Sequence, residues 1–298
     1  MNGSGRYRCK MRSYCAFFEF IFGIKLLFIC ILRRIQKELL VIVKNTVNLA
    51  VVIKALQNIG KFMQMLWIVF SRPEKWSVFR ERLFHEIHFI GINSIPIVAL
   101  MSVFMGGVIA LQTASNMTSP WLPEYTIGYI TRSSTILEFS PTMISLILAG
   151  KVGSNVASEI GTMKTTEQID ALEVMGVNSL TFLVLPKILG AVLFFPVLII
   201  FSMGLSLVGG WLSLVLSELA STETYVVGIR SFFLPSNIVY ALSKTVVFAF
   251  LIVSISSFYG YYTKGGALDV GKSATKAVVT ASIAILIANF LLTQMFLL

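Results

Sequence analysis

Three patterns in this 298-residue chain bear on chemistry, and their surroundings decide between them. Gly266-Ala-Leu-Asp-Val-Gly271-Lys272-Ser273 has the G-x-x-x-x-G-K-S spacing of a loop that cradles phosphate. Such a loop needs a strand before it, a helix after it and a nucleotide domain around it. Here apolar stretches lie on both sides, and only 25 residues follow, too few for a metal-binding aspartate strand and a base pocket. The segment is expected to be a glycine-rich turn whose lysines fix topology. His85-Glu86-Ile87-His88 is one residue short of the zinc motif H-E-x-x-H, and no third ligand is in sight. Cys9, Cys15 and Cys30 repeat no metal spacing. No metal, cofactor or nucleophile–base pair is implied, so the chain is not expected to be an enzyme. The third pattern is a pair of charges, Glu138 and Lys244, each set inside an apolar stretch. In a bilayer such groups are costly unless paired or wet, so they mark either a site or an internal pair.

The elements that must hold those charges are membrane helices. Hydrophobic residues make up 56% of the chain and charged ones 13%, about half the share usual in a soluble domain. That excludes a water-soluble globule, and disorder too, which needs low hydrophobicity. Stretches long enough to cross about 30 Å of hydrocarbon fall at about 89–113, 126–150, 180–208, 237–261 and 277–298. The segments 151–178, 213–236 and 262–275 read as polar connections. Counted to the neighbouring spans, the 151–187 connection holds Lys151, Lys164 and Lys187, and the 262–276 connection holds Lys264, Lys272 and Lys276. By the excess of Lys and Arg in cytoplasmic loops, five spans put the N-terminus inside and the C-terminus outside. Arg132 reads as an interface anchor. Gly106-Gly107, Gly150 with Gly153, and Gly209-Gly210 allow close helix packing.

The net charge of +10 belongs to residues 1–90, which hold 15 Lys and Arg against 5 Asp and Glu. Those charges precede a long apolar region, so an anionic membrane surface, not nucleic acid, is the expected partner. Residues 1–60 read as an N-terminal extension, in which Ala16–Leu32 is too short and too charged for a clean span. Residues 61–88 mix Trp67, Trp76 and phenylalanines with Arg and Lys, which suits an amphipathic helix in the headgroup plane. The fold class is all-α integral membrane: about five transmembrane helices, an interfacial helix and one short helix outside the membrane.

That short helix lies in AGKVGSNVASEIGTMKTTEQIDALEVMGVN, residues 149–178. Thr165 and Gln168 have the spacing of a capping box. Ile169, Leu172 and Met175 fall near one face, and Gly176 is placed to end the helix in a left-handed conformation. The product is a short acidic helix, either a surface helix on its own spans or a docking knob for a partner. Extended to SLTFLVLPK, this run resembles the signature of the MlaE-type permeases of lipid ABC transporters. YALSKTVVFAF, followed by GYYTKGGALDVGKSATKAVV, resembles the same family's C-terminal signature, and LEFSPTMISLILAGKVGS its second span. RPEKWSVF, ILEFSP and FFLPSNIVYA are similar to bacterial members, particularly of Bacteroidetes type.

The resemblance covers about residues 60–298, and 89–298 as the permease domain proper. It implies a homodimer in the bacterial inner membrane or, alternatively, the plastid inner envelope. A cytoplasmic ABC ATPase would bind one face, an MCE-domain lipid-binding protein the other, and phospholipid would be the cargo. It implies that 159–176 is the helix that contacts the ATPase, through Glu159, Gly161, Thr162, Thr166, Glu167, Gln168, Asp170 and Glu173. It also implies that Glu138 and Lys244 lie at the lipid cavity. Leu137 departs from the family pattern, where arginine often precedes this glutamate. The competing class is a channel or secondary transporter working without ATP, which would show an inverted repeat; none is visible.

Overall fold

The structure, a computed structural model, describes residues 49–71, 76–117 and 123–297. The expectations for residues 1–48, Cys9, Cys15 and Cys30 among them, lie outside these residues. The chain divides into two compact units, Met1–Gly60 and Lys61–Leu298. The described residues form helices without a strand. Five helical stretches, all in the second unit, are long and apolar enough to cross a membrane: Phe79–Asn116, Tyr125–Thr165, Ser179–Leu216, Ser236–Tyr261 and Ala267–Phe296.

All five expected spans are present, and four of the stretches run well past the apolar residues that marked them. Hydrogen bonding does not stop where hydrophobicity does. Residues 151–165, expected in a polar connection, continue the second stretch because Val152, Val156, Ala157 and Ile160 give them one buried stripe. The interfacial helix expected over 61–88 is two helices. The first, α1 (Leu49–Ser71), buries Met65 and Val69 fully and sets Phe62 edge-on to Phe258. The second, α2 (Trp76–Glu86), runs through a π turn (Ile87–Gly91) and a 3-10 turn (Ile92–Ser94) into α3 (Ile95–Asn116). Pro96 explains the irregular joint: proline has no N–H for the Ile92 carbonyl four residues earlier.

The second stretch is α4 (Tyr125–Ser134), a π segment (Thr135–Met143), α5 (Ile144–Leu148), a second π segment (Ala149–Gly153) and α6 (Ser154–Thr165). Pro141 lies inside the first π segment and deprives the Leu137 carbonyl of its α-helical donor. A sharp turn leads to α7 (Gln168–Val174). The third stretch is α8 (Ser179–Leu216), whose first turn is capped by the Asn178 side chain accepting from the Thr181 N–H. Then come α9 (Thr222–Arg230), α10 (Ser236–Tyr261) and α11 (Ala267–Leu297).

The closest crossing joins α3 to α8. A Cβ on Gly106 would overlap the Ser206 carbonyl, and one on Gly209 the Val103 carbonyl. Ser102 donates to Ser202 at 2.9 Å across the same seam. Of the glycines expected to pack helices, Gly106, Gly107, Gly209 and Gly210 do so within one chain and Gly153 faces Ser256, but Gly150 meets no neighbour among the described residues. A second close crossing joins α4 to α9 at Gly128 and Gly228. Arg132 is not an interface anchor. It is buried and donates to the carbonyls of Ile229 (2.7 Å), Ser231 (2.8 Å) and Phe232 (3.3 Å), so it caps the C-terminal end of α9. Burial pushes the nearby Tyr225 phenol up to about 12, and its hydroxyl donates to the Leu207 carbonyl.

Candidate functional site

Two groups of side chains bear on function, one enclosed among the long stretches and one around an exposed turn. The first lies among the long stretches. Lys244 of α10 is fully buried, and its ammonium sits 2.8 Å from Glu138 Oε1. It donates also to Thr293 Oγ1 at 2.9 Å and stands 4.5 Å from the centre of the Tyr240 ring. It lies 3.5 Å from the Leu137 carbonyl, the one that Pro141 leaves without its usual donor. Glu138 is 40% exposed along its side chain. Its Oε2 accepts from Asn289 Nδ2 at 3.1 Å, and its Oε1 from Thr293 at 3.3 Å. Glu138 is thus a carboxylate with its donors in place and an open side, while Lys244 is enclosed.

The second group surrounds the turn from α6 to α7. Glu167 sits at φ 60°, the left-handed region, which costs a non-glycine residue roughly 1–2 kcal/mol. The expected capping box does not form. Thr165 and Thr166 both turn their hydroxyls back to the Thr162 carbonyl, at 3.1 and 2.8 Å, a local bond that competes with the cap. Gly176 is left-handed as expected (φ 78°). Its N–H bonds the Glu173 carbonyl, and that of Val177 the Leu172 carbonyl, which closes α7. Ile169 is fully buried beneath the helix. Met175 is not on that face: it is 69% exposed, beside Val174 at 89%.

This knob is tied down at three points. Lys187 donates to both oxygens of Glu159 at 2.8 Å and to Glu86 at 2.6 Å. Glu173 accepts from Ser179 at 2.8 Å and from the Tyr261 hydroxyl at 3.1 Å. Gly161 is buried, and a Cβ there would press on Val270 of α11 at 3.1 Å.

Residues 83–295 match the family described as Permease MlaE. The chain belongs to that family. It is 36% identical to a probable ABC transporter permease protein of Rickettsia bellii, over 85% of this chain and 95% of the relative. It is 32% identical to a probable ABC transporter permease protein of Synechocystis, over 72% of this chain and 81% of the relative. The chloroplastic protein TRIGALACTOSYLDIACYLGLYCEROL 1 of Arabidopsis thaliana is 33% identical over 69% of this chain and 59% of the relative. The share aligned with the Rickettsia protein is larger than residues 61–298 alone supply, so the likeness reaches into the first 60 residues.

In this MlaE permease the residues singled out from sequence fall into three classes. Thr162, Thr166, Glu167, Gln168 and Asp170 are exposed around the knob, with Asp170 paired to Lys164 at 2.6 Å. Glu159 and Glu173 are partly spent on internal contacts, and Gly161 is out of reach of any partner. Glu138 and Lys244 are together, as one ion pair. Sequence reasoning missed Asn289 and Thr293, although they lie four apart in an otherwise apolar stretch and so share a helix face. It also misassigned Lys187. That lysine is two turns inside α8 and almost wholly buried, a partner for two carboxylates and not a loop charge. Only Gly266 of the P-loop-like segment lies in the turn, after Gly265 (φ 113°); residues 267–273 are the start of α11, with Lys272 3.2 Å from Asp269.

Proposed function

We propose that this MlaE permease is the membrane-spanning subunit of an ATP-driven transporter that moves phospholipid between the inner and outer membranes. ATP is hydrolysed by a separate subunit that docks on the α6–α7 knob at the cytoplasmic face. A second copy of the chain completes the cavity, and an MCE-domain lipid-binding protein meets the opposite face. The membrane is the bacterial inner membrane, with the N-terminus cytoplasmic and the C-terminus periplasmic. The plastid inner envelope is the alternative that the Arabidopsis relative's chloroplastic name supports.

The observation that carries this reading is the continuous helical stretch Tyr125–Thr165. Its 41 residues are well over the roughly 20 that an α-helix needs to cross about 30 Å of hydrocarbon, so the stretch continues beyond the membrane. One continuous helical stretch therefore carries both Glu138, within its first π segment, and the knob, at its end. A push on α7 is delivered to the ion pair instead of being absorbed in a loop. The push acts only if the ATPase contacts the knob differently in its two nucleotide states, since equal binding shifts nothing. Val174 and Met175 offer the apolar contact, and Glu167 and Asp170 the charged rim.

The test reverses the rim. The double substitution Glu167→Lys with Asp170→Lys touches exposed side chains, so the permease should keep its melting temperature. Co-purification of the ATPase should fall by about tenfold or more, the effect of roughly 1.4 kcal/mol. Unchanged co-purification, or full-speed phospholipid movement by the chain alone in vesicles, overturns the reading in favour of a carrier or channel that needs no ATP.

A further inference from the structure

Among the described residues, Lys187 is a buried charge to which the proposed coupling assigns no role of its own. Its cluster joins three elements: Glu86 at the end of α2, Lys187 of α8 and Glu159 of α6. One ammonium faces two carboxylates, and the carboxylates differ. The Lys187 side chain is 2% exposed and that of Glu86 13%, while that of Glu159 is 41% exposed. Glu86 Oε2 is buried and has no hydrogen-bond partner among the described residues. Glu86 also sits one residue ahead of the π turn Ile87–Gly91, and Gly190 of α8 packs against Glu86 and Ile87.

We propose that Lys187 is a positioning residue of the coupling step, a latch that passes between two carboxylates. Glu159 rides on the lever and is exposed along much of its side chain, so it can leave. Glu86 is enclosed and stays. When the lever moves, Glu159 exchanges Lys187 for solvent while Glu86 keeps the ammonium paired. A buried lysine with one carboxylate would be orphaned by the same movement, and a buried charge without a partner is strongly disfavoured. The second carboxylate is therefore what allows the joint to open. It also fixes what moves relative to what: α6 against the α2–α8 pair.

This inference rests on the coupling role proposed for the α6–α7 knob, and the test separates the two. The permease is reconstituted with its ATPase in vesicles of phosphatidylethanolamine and phosphatidylglycerol. ATP turnover and movement of a fluorescent phosphatidylethanolamine are read together. If the original chain shows no ATP-dependent movement, the coupling reading fails first, and the latch falls with it. If it does, Glu86→Gln should leave ATPase co-purification intact. It should slow both turnover and phospholipid movement about fivefold or more, because Glu159 is then the only charge on Lys187 and the lever is held. Lys187→Arg, which can still bridge two carboxylates, should retain most of the movement. Glu159→Gln in the Glu86→Gln background should not restore it, since Lys187 is then left without a carboxylate. Original-chain movement in Glu86→Gln, with the complex intact, overturns the latch. So does an equal loss in Lys187→Arg and Glu86→Gln accompanied by an equal fall in melting temperature, the mark of a merely structural cluster.

Discussion

Lys187 and Lys244 are both enclosed by apolar helices, yet they are held in opposite ways. Lys244 has one carboxylate and three neutral supports, the Thr293 hydroxyl, the Leu137 carbonyl and the Tyr240 ring. Lys187 has two carboxylates at 2.6 and 2.8 Å. At Lys244 the lysine is the buried member and Glu138, the partner, is partly open with donors of its own. At Lys187 one partner is nearly as confined as the lysine. The difference teaches where each cluster can respond. Glu138 can meet an incoming group without disturbing Lys244, whereas at Lys187 the only freedom is an exchange between partners.

That contrast is broken most directly by removing each lysine. Lys187→Met leaves two carboxylates facing one another, one of them enclosed. It should destabilise the permease toward the upper end of the about 3–5 kcal/mol seen when a buried pair loses a member. Denaturant or thermal unfolding in detergent measures it. Lys244→Met should cost less, about 1–2 kcal/mol, because Glu138 keeps Asn289 and Thr293 as donors and has an exposed side. Equal losses would mean that exposure of the remaining carboxylate does not matter and that the two lysines are alike. A larger loss at Lys244 would invert the comparison and make the Glu138 cluster the structural one.

What was legible in the sequence depends on how each feature arises. The five stretches were legible, because apolar length is a property of consecutive residues. Their ends were not, because residues 151–165 are polar on average and apolar only on one face. Glu138 and Lys244 stood out as charges in apolar runs. Their pairing needed the fold, although Asn289 and Thr293 carried a signal at helical spacing that could have been used. Lys187 looks the same in one dimension whether it snorkels at a membrane edge or pairs inside the protein, so its role came only with Glu86 and Glu159 beside it. The capping box failed for a local reason: Thr165 and Thr166 had a nearer acceptor in the Thr162 carbonyl. Gly176 succeeded because a left-handed terminus after an apolar turn has few other solutions.

The smallest expected effect sharpens the comparison from the side of the helix that carries Lys187. Asn178 caps α8 and sits nine residues ahead of that lysine. If α8 is placed by its own start, the position of Lys187 depends on the cap. If α8 is placed by the ion cluster, the cap matters only to the first turn. Asn178→Ala removes the acceptor for the Thr181 N–H and should cost about 1 kcal/mol, the usual value of such a cap. In a double substitution with Lys187→Met the two losses should simply add, since more than two helical turns, roughly 13 Å, separate them. A coupling of more than about 0.5 kcal/mol between them would show that the cap and the cluster act as one unit. The contrast drawn between Lys187 and Lys244 would then reflect where each lysine lies along its helix, and not which carboxylates it meets.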